Sequence, residues 1–102
     1  MRYQLVLQFA GDSLADYDAM VALEDELIAE LADADVDGHD VGSGEVNIFI
    51  FTSDPARTFQ QARPVLEQRQ SLQSVTAAYR PIGGEEYTVI WPEGSTKEFR
   101  VA

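Results

Sequence analysis

The chain has no cysteine, one histidine, and seven Lys/Arg against eighteen Asp/Glu. Each shortage closes off a class of function. Without cysteine there is no disulfide framework and no thiol chemistry. With His39 as the only histidine, and no nucleophile in a recognisable setting, a hydrolase triad has no second signature. The net charge of −11 repels phosphate backbones and speaks against a nucleic-acid partner. No apolar run reaches the ~18 residues of a membrane span, so no membrane partner is expected. The opening Met1–Gln8 starts like a signal peptide, but Gln8 interrupts its apolar stretch, and it reads as mature protein. A cytoplasmic location is the default expectation.

The 102 residues, 45% hydrophobic and 25% charged, suit a single domain spanning residues 1–102 with one core. The acid is unevenly placed. Residues 1–54 hold thirteen Asp/Glu against one Arg, whereas residues 55–102 hold five Glu against six Lys/Arg. Such a field keeps the chain soluble and suits a basic protein partner.

Arg2 to Phe9 alternates, with Tyr3, Leu5, Leu7 and Phe9 on one side and Gln4, Val6 and Gln8 on the other, the pattern of a half-buried strand. Ser13 to Asp16 has the form of a capping box. It predicts a helix to about Ala32, whose apolar half carries Leu14, Tyr17, Met20, Val21, Leu23, Leu27, Ile28 and Leu31. Glu24 falls at the centre of that half. A carboxylate there must be paired, hydrogen-bonded or neutral.

Asp33-Ala34-Asp35-Val36-Asp37-Gly38 opens like a calcium loop, which makes Asp33, Asp35 and Asp37 candidate metal ligands. Position 12 of such a loop must be a bidentate Glu, and here it is Gly44, with Glu45 one residue late. A strand pattern follows instead of a helix, so the site lacks its anchoring ligand, and no metal or other cofactor is expected.

Val36–Val41 and Glu45–Thr52 read as two strands joined at Gly42-Ser43-Gly44, the second apolar enough to be central. Asp54 and Pro55 are the N-cap and first residue of a second helix to about Arg69. Pro64 lies within it and predicts a kink or two pieces, Pro55–Arg63 and Pro64–Arg69. Ser74–Arg80 and Glu86–Trp91 read as further strands across a Pro81–Glu85 turn, and Lys97–Ala102 is a candidate for a few more β residues. The order predicts an α+β fold: a ferredoxin-like βαββαβ sandwich with an additional C-terminal strand, two helices on one face of an antiparallel sheet. The other face would carry Val6 with either Ile48/Ile50 or Phe49/Phe51. A homodimer through that open sheet face is the simplest cover, and the C-terminal segment folding back is the rival.

Polar groups gather on the glycine-bounded hairpin: Asp37, His39, Asp40, Glu45 and Asn47. Together with Glu24, they are the candidates for an acid/base, ligand or metal site. Asp37 and His39, two apart on a strand, should share a face. Against this stands a structural role, in which His39 hydrogen-bonds Glu24 or a nearby Asp and fixes the hairpin. Tyr79, Arg80 and Trp91 are candidates for a wall that binds a small anion or peptide, against ordinary core packing. Two functions from different classes therefore compete: a non-catalytic interaction or regulatory module with an acidic surface, and a small enzyme or ligand-binding protein built on Glu24 and His39.

The segment D-G-H-D-V-G-S-G-E-V-N-I-F-I-F-T-S-D-P, from Asp37 to Pro55, resembles that of a small family of bacterial proteins of about this length, which carry a DGHDxGSGExNIFIxTxDP-like motif. The likeness extends to the first strand, to V-A-L-E-D-E-L-I around Glu24 and to A-A-Y-R-P-I-G-G-E-E-Y-T-V-I-W-P. It implies no activity and no cofactor.

Overall fold

The structure is a computed structural model that describes residues 2–10, 14–31, 34–42, 44–70, 72–94 and Phe99, with backbone only at 14–17 and 41–42. Its elements are β1 (Tyr3–Ala10), α1 (Leu14–Glu30), β2 (Ala34–Gly42), β3 (Glu45–Thr52), α2 (Pro55–Gln68), β4 (Thr76–Pro81) and β5 (Thr88–Trp91). The fold is α+β, with two helices and a five-stranded sheet in the order β2-β3-β1-β4-β5. Every neighbouring pair is antiparallel. The capping box at Ser13 and most of the Lys97–Ala102 tail lie outside the described residues.

Alternation along the strands sorts the side chains between two faces. Leu5, Leu7, Val46, Ile48, Ile50 and Ala77 share one core with Met20, Leu23 and Leu27 of α1 and Phe59, Ala62, Val65 and Leu66 of α2. Both helices therefore cover the same face of the sheet. Val6 points the other way, between Phe49 and Ala78 in register. The open face thus takes Phe49 and Phe51, while Ile48 and Ile50 go to the core. It is less exposed than its position suggests: Val6 and Ala78 are fully buried, and Phe49 and Phe51 are half-buried. Phe99 packs its ring 5.0 Å from that of Tyr87.

Two expectations are corrected. First, α2 runs through Pro64 as one helix, which overturns the division into Pro55–Arg63 and Pro64–Arg69. Proline removes a bond to the carbonyl one turn earlier, but Pro64 and Gln60 both face solvent, where water can satisfy that carbonyl. Second, Ile28 is 56% exposed. Among the described side chains, the arc of α1 buried in the core is Met20, Leu23, Leu27 and, just beyond the helix, Leu31, with Val21 packed beside it. Ile28 falls on the flank, where the sheet ends at its edge strand. The D-x-D-x-D-G segment, which lacks its anchoring ligand in the sequence, is strand from Ala34 onward. An extended ladder to β3 spreads carboxylates along a line, whereas calcium needs them wrapped around a point.

The start of α2 is tied to the end of β3. Asp54 caps the helix by accepting the Arg57 N–H at 3.1 Å. Thr52 Oγ1 accepts the Asp54 N–H at 3.0 Å and shares a buried 2.7 Å hydroxyl bond with Thr58. No helix among the described residues is long and apolar enough to cross a membrane.

Candidate functional site: the Glu24–His39 pair and its surroundings

His39 lies on the edge strand β2 in register with Ile48, a fully buried core residue. Its ring is therefore turned toward the helix layer. There Glu24 comes down from the middle of α1, and its Oε2 lies 3.0 Å from His39 Nδ1. The two side chains are 15% and 30% exposed, respectively. Glu24 thus occupies the apolar half of its helix because it faces the rim of the sheet, where a polar partner waits. Which of the two atoms donates follows from the imidazole tautomer.

A bulge shapes the strand next to the pair. Val36 faces Ile50 and Gly38 faces Phe49, so Asp37 is the extra residue. Gly38 has φ 142°, a conformation that favours glycine. The bulge takes Asp37 out of the alternation, so its two-residue spacing from His39 no longer gives the two a common face. Asp37 and Asp40 are exposed. Asp35 pairs with Arg2 at 3.0 Å across the sheet end. Asp33 lies outside the described residues. Among the described residues, no three His, Cys, Asp or Glu side chains come together in a way that could hold a metal.

The remaining candidates are divided between the two faces. Asn47, 1% exposed, lies on the open side and accepts from Gln8 Nε2 at 3.0 Å. Glu45 is half-buried at the start of the same strand. Tyr79 turns toward the helix layer and meets Tyr3 edge-on at 5.6 Å between ring centroids. Trp91 does the same. It lies 5.8 Å from the Phe59 ring, donates Nε1–H to the Leu72 carbonyl at 3.0 Å, and carries the Arg63 guanidinium 4.7 Å from its ring centroid. Arg80 alone of this trio faces the open side. Strand alternation forbids a single wall made of Tyr79 and Arg80, because adjacent residues point apart.

Comparison of the chain with known families, with curated proteins and with solved structures finds no match. Function must therefore be argued from the site itself.

A cleft of about 240 Å³ opens elsewhere, lined by Phe9, Met20, Leu23, Val46, Arg69 and Ser74. Neither Glu24 nor His39 lines it. Its one cation, Arg69, already bonds Glu26 at 3.1 Å and the Ala22 carbonyl at 3.4 Å. The sequence pattern did not point to this cleft, because Phe9, Val46 and Ser74 come from three separate strands or loops.

Proposed function

We propose that the protein is a non-catalytic interaction module that binds a basic protein segment along the edge formed by α1 and β2. The observation that carries this is Ile28. It is a large apolar side chain, 56% exposed, one turn beyond Glu24 on the stripe of α1 that faces β2. On the same helix stands the exposed carboxylate of Asp25, and along β2 stand those of Asp37 and Asp40, none of them in an ion pair with a described residue. Among the described residues β2 pairs with a neighbour on one side only, which leaves backbone donors and acceptors along its outer edge. An apolar anchor within a field of one sign suits a partner segment carrying Lys or Arg around an apolar side chain. In this reading Glu24 and His39 hold the helix to the edge strand and so set the shape of the surface.

The arrangement β2-β3-β1-β4, with β1 and β3 central and β5 added beyond β4, supports a ferredoxin-like assignment, which we offer on that ground. The family likeness rests on the Asp37–Pro55 motif and is likewise a proposal. A homodimer through the open face would have to bury Phe49 and Phe51, which are already half covered; the edge offers the more exposed apolar group.

The test is an amide NMR titration with a synthetic peptide of alternating Lys and Leu. Shifts gathered at Asp25, Ile28, Asp37 and Asp40, weakened by salt over a Debye length of about 10 Å at 0.1 M and abolished by Ile28→Asp, support the proposal. Shifts spread over the whole surface, or unchanged in Ile28→Asp, overturn it.

A further inference from the structure

Arg80 lies on the outward face of β4, in register with Gln4 of β1. Its Nε–H is shared between Gln4 Oε1 at 3.0 Å and Tyr87 Oη at 3.3 Å. Its Nη1 donates to the Gly84 carbonyl at 2.7 Å. The guanidinium carbon sits 5.8 Å from the Tyr87 ring centroid. All these partners are neutral. Arg2, Arg63 and Arg69 each have a carboxylate within 4.0 Å, whereas Arg80 has none among the described residues. In a chain of net charge −11, a half-buried cation without a counter-charge is unexpected, because desolvation without pairing is costly.

The surroundings hold the guanidinium in one orientation. Pro81 to Gly84 forms a turn closed by the Gly84 N–H to Pro81 carbonyl bond at 2.9 Å. Gly83 has φ 90°, as the third position of such a turn demands. A β-carbon at Gly84 would lie 3.2 Å from the Pro81 oxygen, so glycine lets the turn close far enough to offer its carbonyl to Arg80. Of the five guanidinium N–H groups, Nε–H and one on Nη1 are used. The second Nη1–H and both on Nη2 have no acceptor among the described residues. Free N–H groups of a guanidinium are the donors that take a carboxylate through two parallel bonds. Beside it the open face is apolar: Phe51 is next to Gln4, and Val89 is opposite the fully buried Ala78.

We propose that the Arg80 fork, fixed by Gln4, Tyr87 and the Gly84 carbonyl, is a binding site for a small monocarboxylate with a flat apolar body. The carboxylate takes the Nη1/Nη2 edge and the body lies against the partly exposed Phe51, next to Gln4 in register. A single charge is favoured over a phosphate dianion because each further negative charge meets the repulsion of the whole chain. This site stands on the opposite side of the sheet from the helix layer and does not depend on the partner-binding edge.

The test follows the Arg80 Nε–H resonance and the amides of Gln4, Phe51, Tyr87 and Val89 by NMR. The probes are phenylacetate, acetate and inorganic phosphate. Phenylacetate should give a saturable shift at these positions with a Kd on the order of 1 mM, as fits so small a ligand, and acetate should bind several-fold more weakly. Arg80→Lys keeps the charge and loses the fork, and should weaken phenylacetate by about tenfold while leaving the core amides in place. No saturable shift in the wild type overturns the proposal. So does equal binding of phosphate, or equal affinity in Arg80→Lys. If the Arg80 resonance ignores phenylacetate but moves in Glu98→Gln, the fork serves the chain's own carboxylate and the proposal fails.

Discussion

Glu24 and His39 are fifteen positions apart and lie on different elements, yet Oε2 of one is 3.0 Å from Nδ1 of the other. The contact joins the middle of α1 to the edge strand, at the rim where the apolar core runs out. A polar pair at that position closes the helix onto the sheet without placing a lone carboxylate against leucines.

Replacing either member should cost about 1 kcal/mol, the net worth of a part-buried hydrogen bond. The double substitution Glu24→Ala/His39→Ala should cost clearly less than the two single losses together, since both remove the same contact. Urea denaturation of the four proteins checks this. Strict additivity would show that the pair contributes no coupling to stability.

Neighbouring positions on α1 should behave oppositely. Leu27 is fully buried, and Leu27→Ala should destabilise by about 2–5 kcal/mol. Ile28→Asp removes an exposed side chain and should change stability by no more than about 0.5 kcal/mol. Thermal melts of the two variants measure the contrast, and a large loss in Ile28→Asp would place that residue in the core.

At the junction of β3 and α2, Thr52→Val should cost more than Thr58→Val. Thr52 Oγ1 serves two groups, the Asp54 N–H and the Thr58 hydroxyl. Its removal leaves both without their partner, at about 1–3 kcal/mol for each buried group left unmade. Thr58→Val leaves Thr52 its bond from the Asp54 N–H. Equal losses on chemical denaturation would contradict this ordering.

Pro64→Ala should stabilise the protein. It restores an N–H to the interior of α2 and replaces a residue that costs about 3 kcal/mol in a helix interior. Part of the gain is offset by the freer unfolded chain, at roughly 0.4–1 kcal/mol. A fall in the unfolding midpoint would mean that Pro64 has a packing role despite its exposure.

The number and order of the elements were legible in the chain because each rests on local chemistry. Period-two alternation marks β1, unbroken β-branched and aromatic residues mark β3, and Asp54-Pro55 marks the start of α2. That Glu24 needs a polar neighbour was legible as well, since a carboxylate on an apolar helix face demands one; that His39 meets Glu24 and not a nearby Asp was decided only by the structure. The bulge at Asp37 was not legible. One inserted residue is a property of the pairing between two strands, and neither strand shows it alone. Nor was the exposure of Ile28, because a helical wheel describes a half-cylinder while the width of the buried arc depends on where the sheet ends.

By itself, then, the sequence determined the fold class, a core drawn from both helices, and an acidic first half, because burial patterns and charge are local properties of residues. Only the tertiary structure decided that Tyr79 and Trp91 belong to the helix layer while Arg80 faces outward among neutral partners. It also decided that Ile28 is exposed on the flank of α1. These relations depend on register and on which strand is last in the sheet, both set by contacts between residues far apart along the chain.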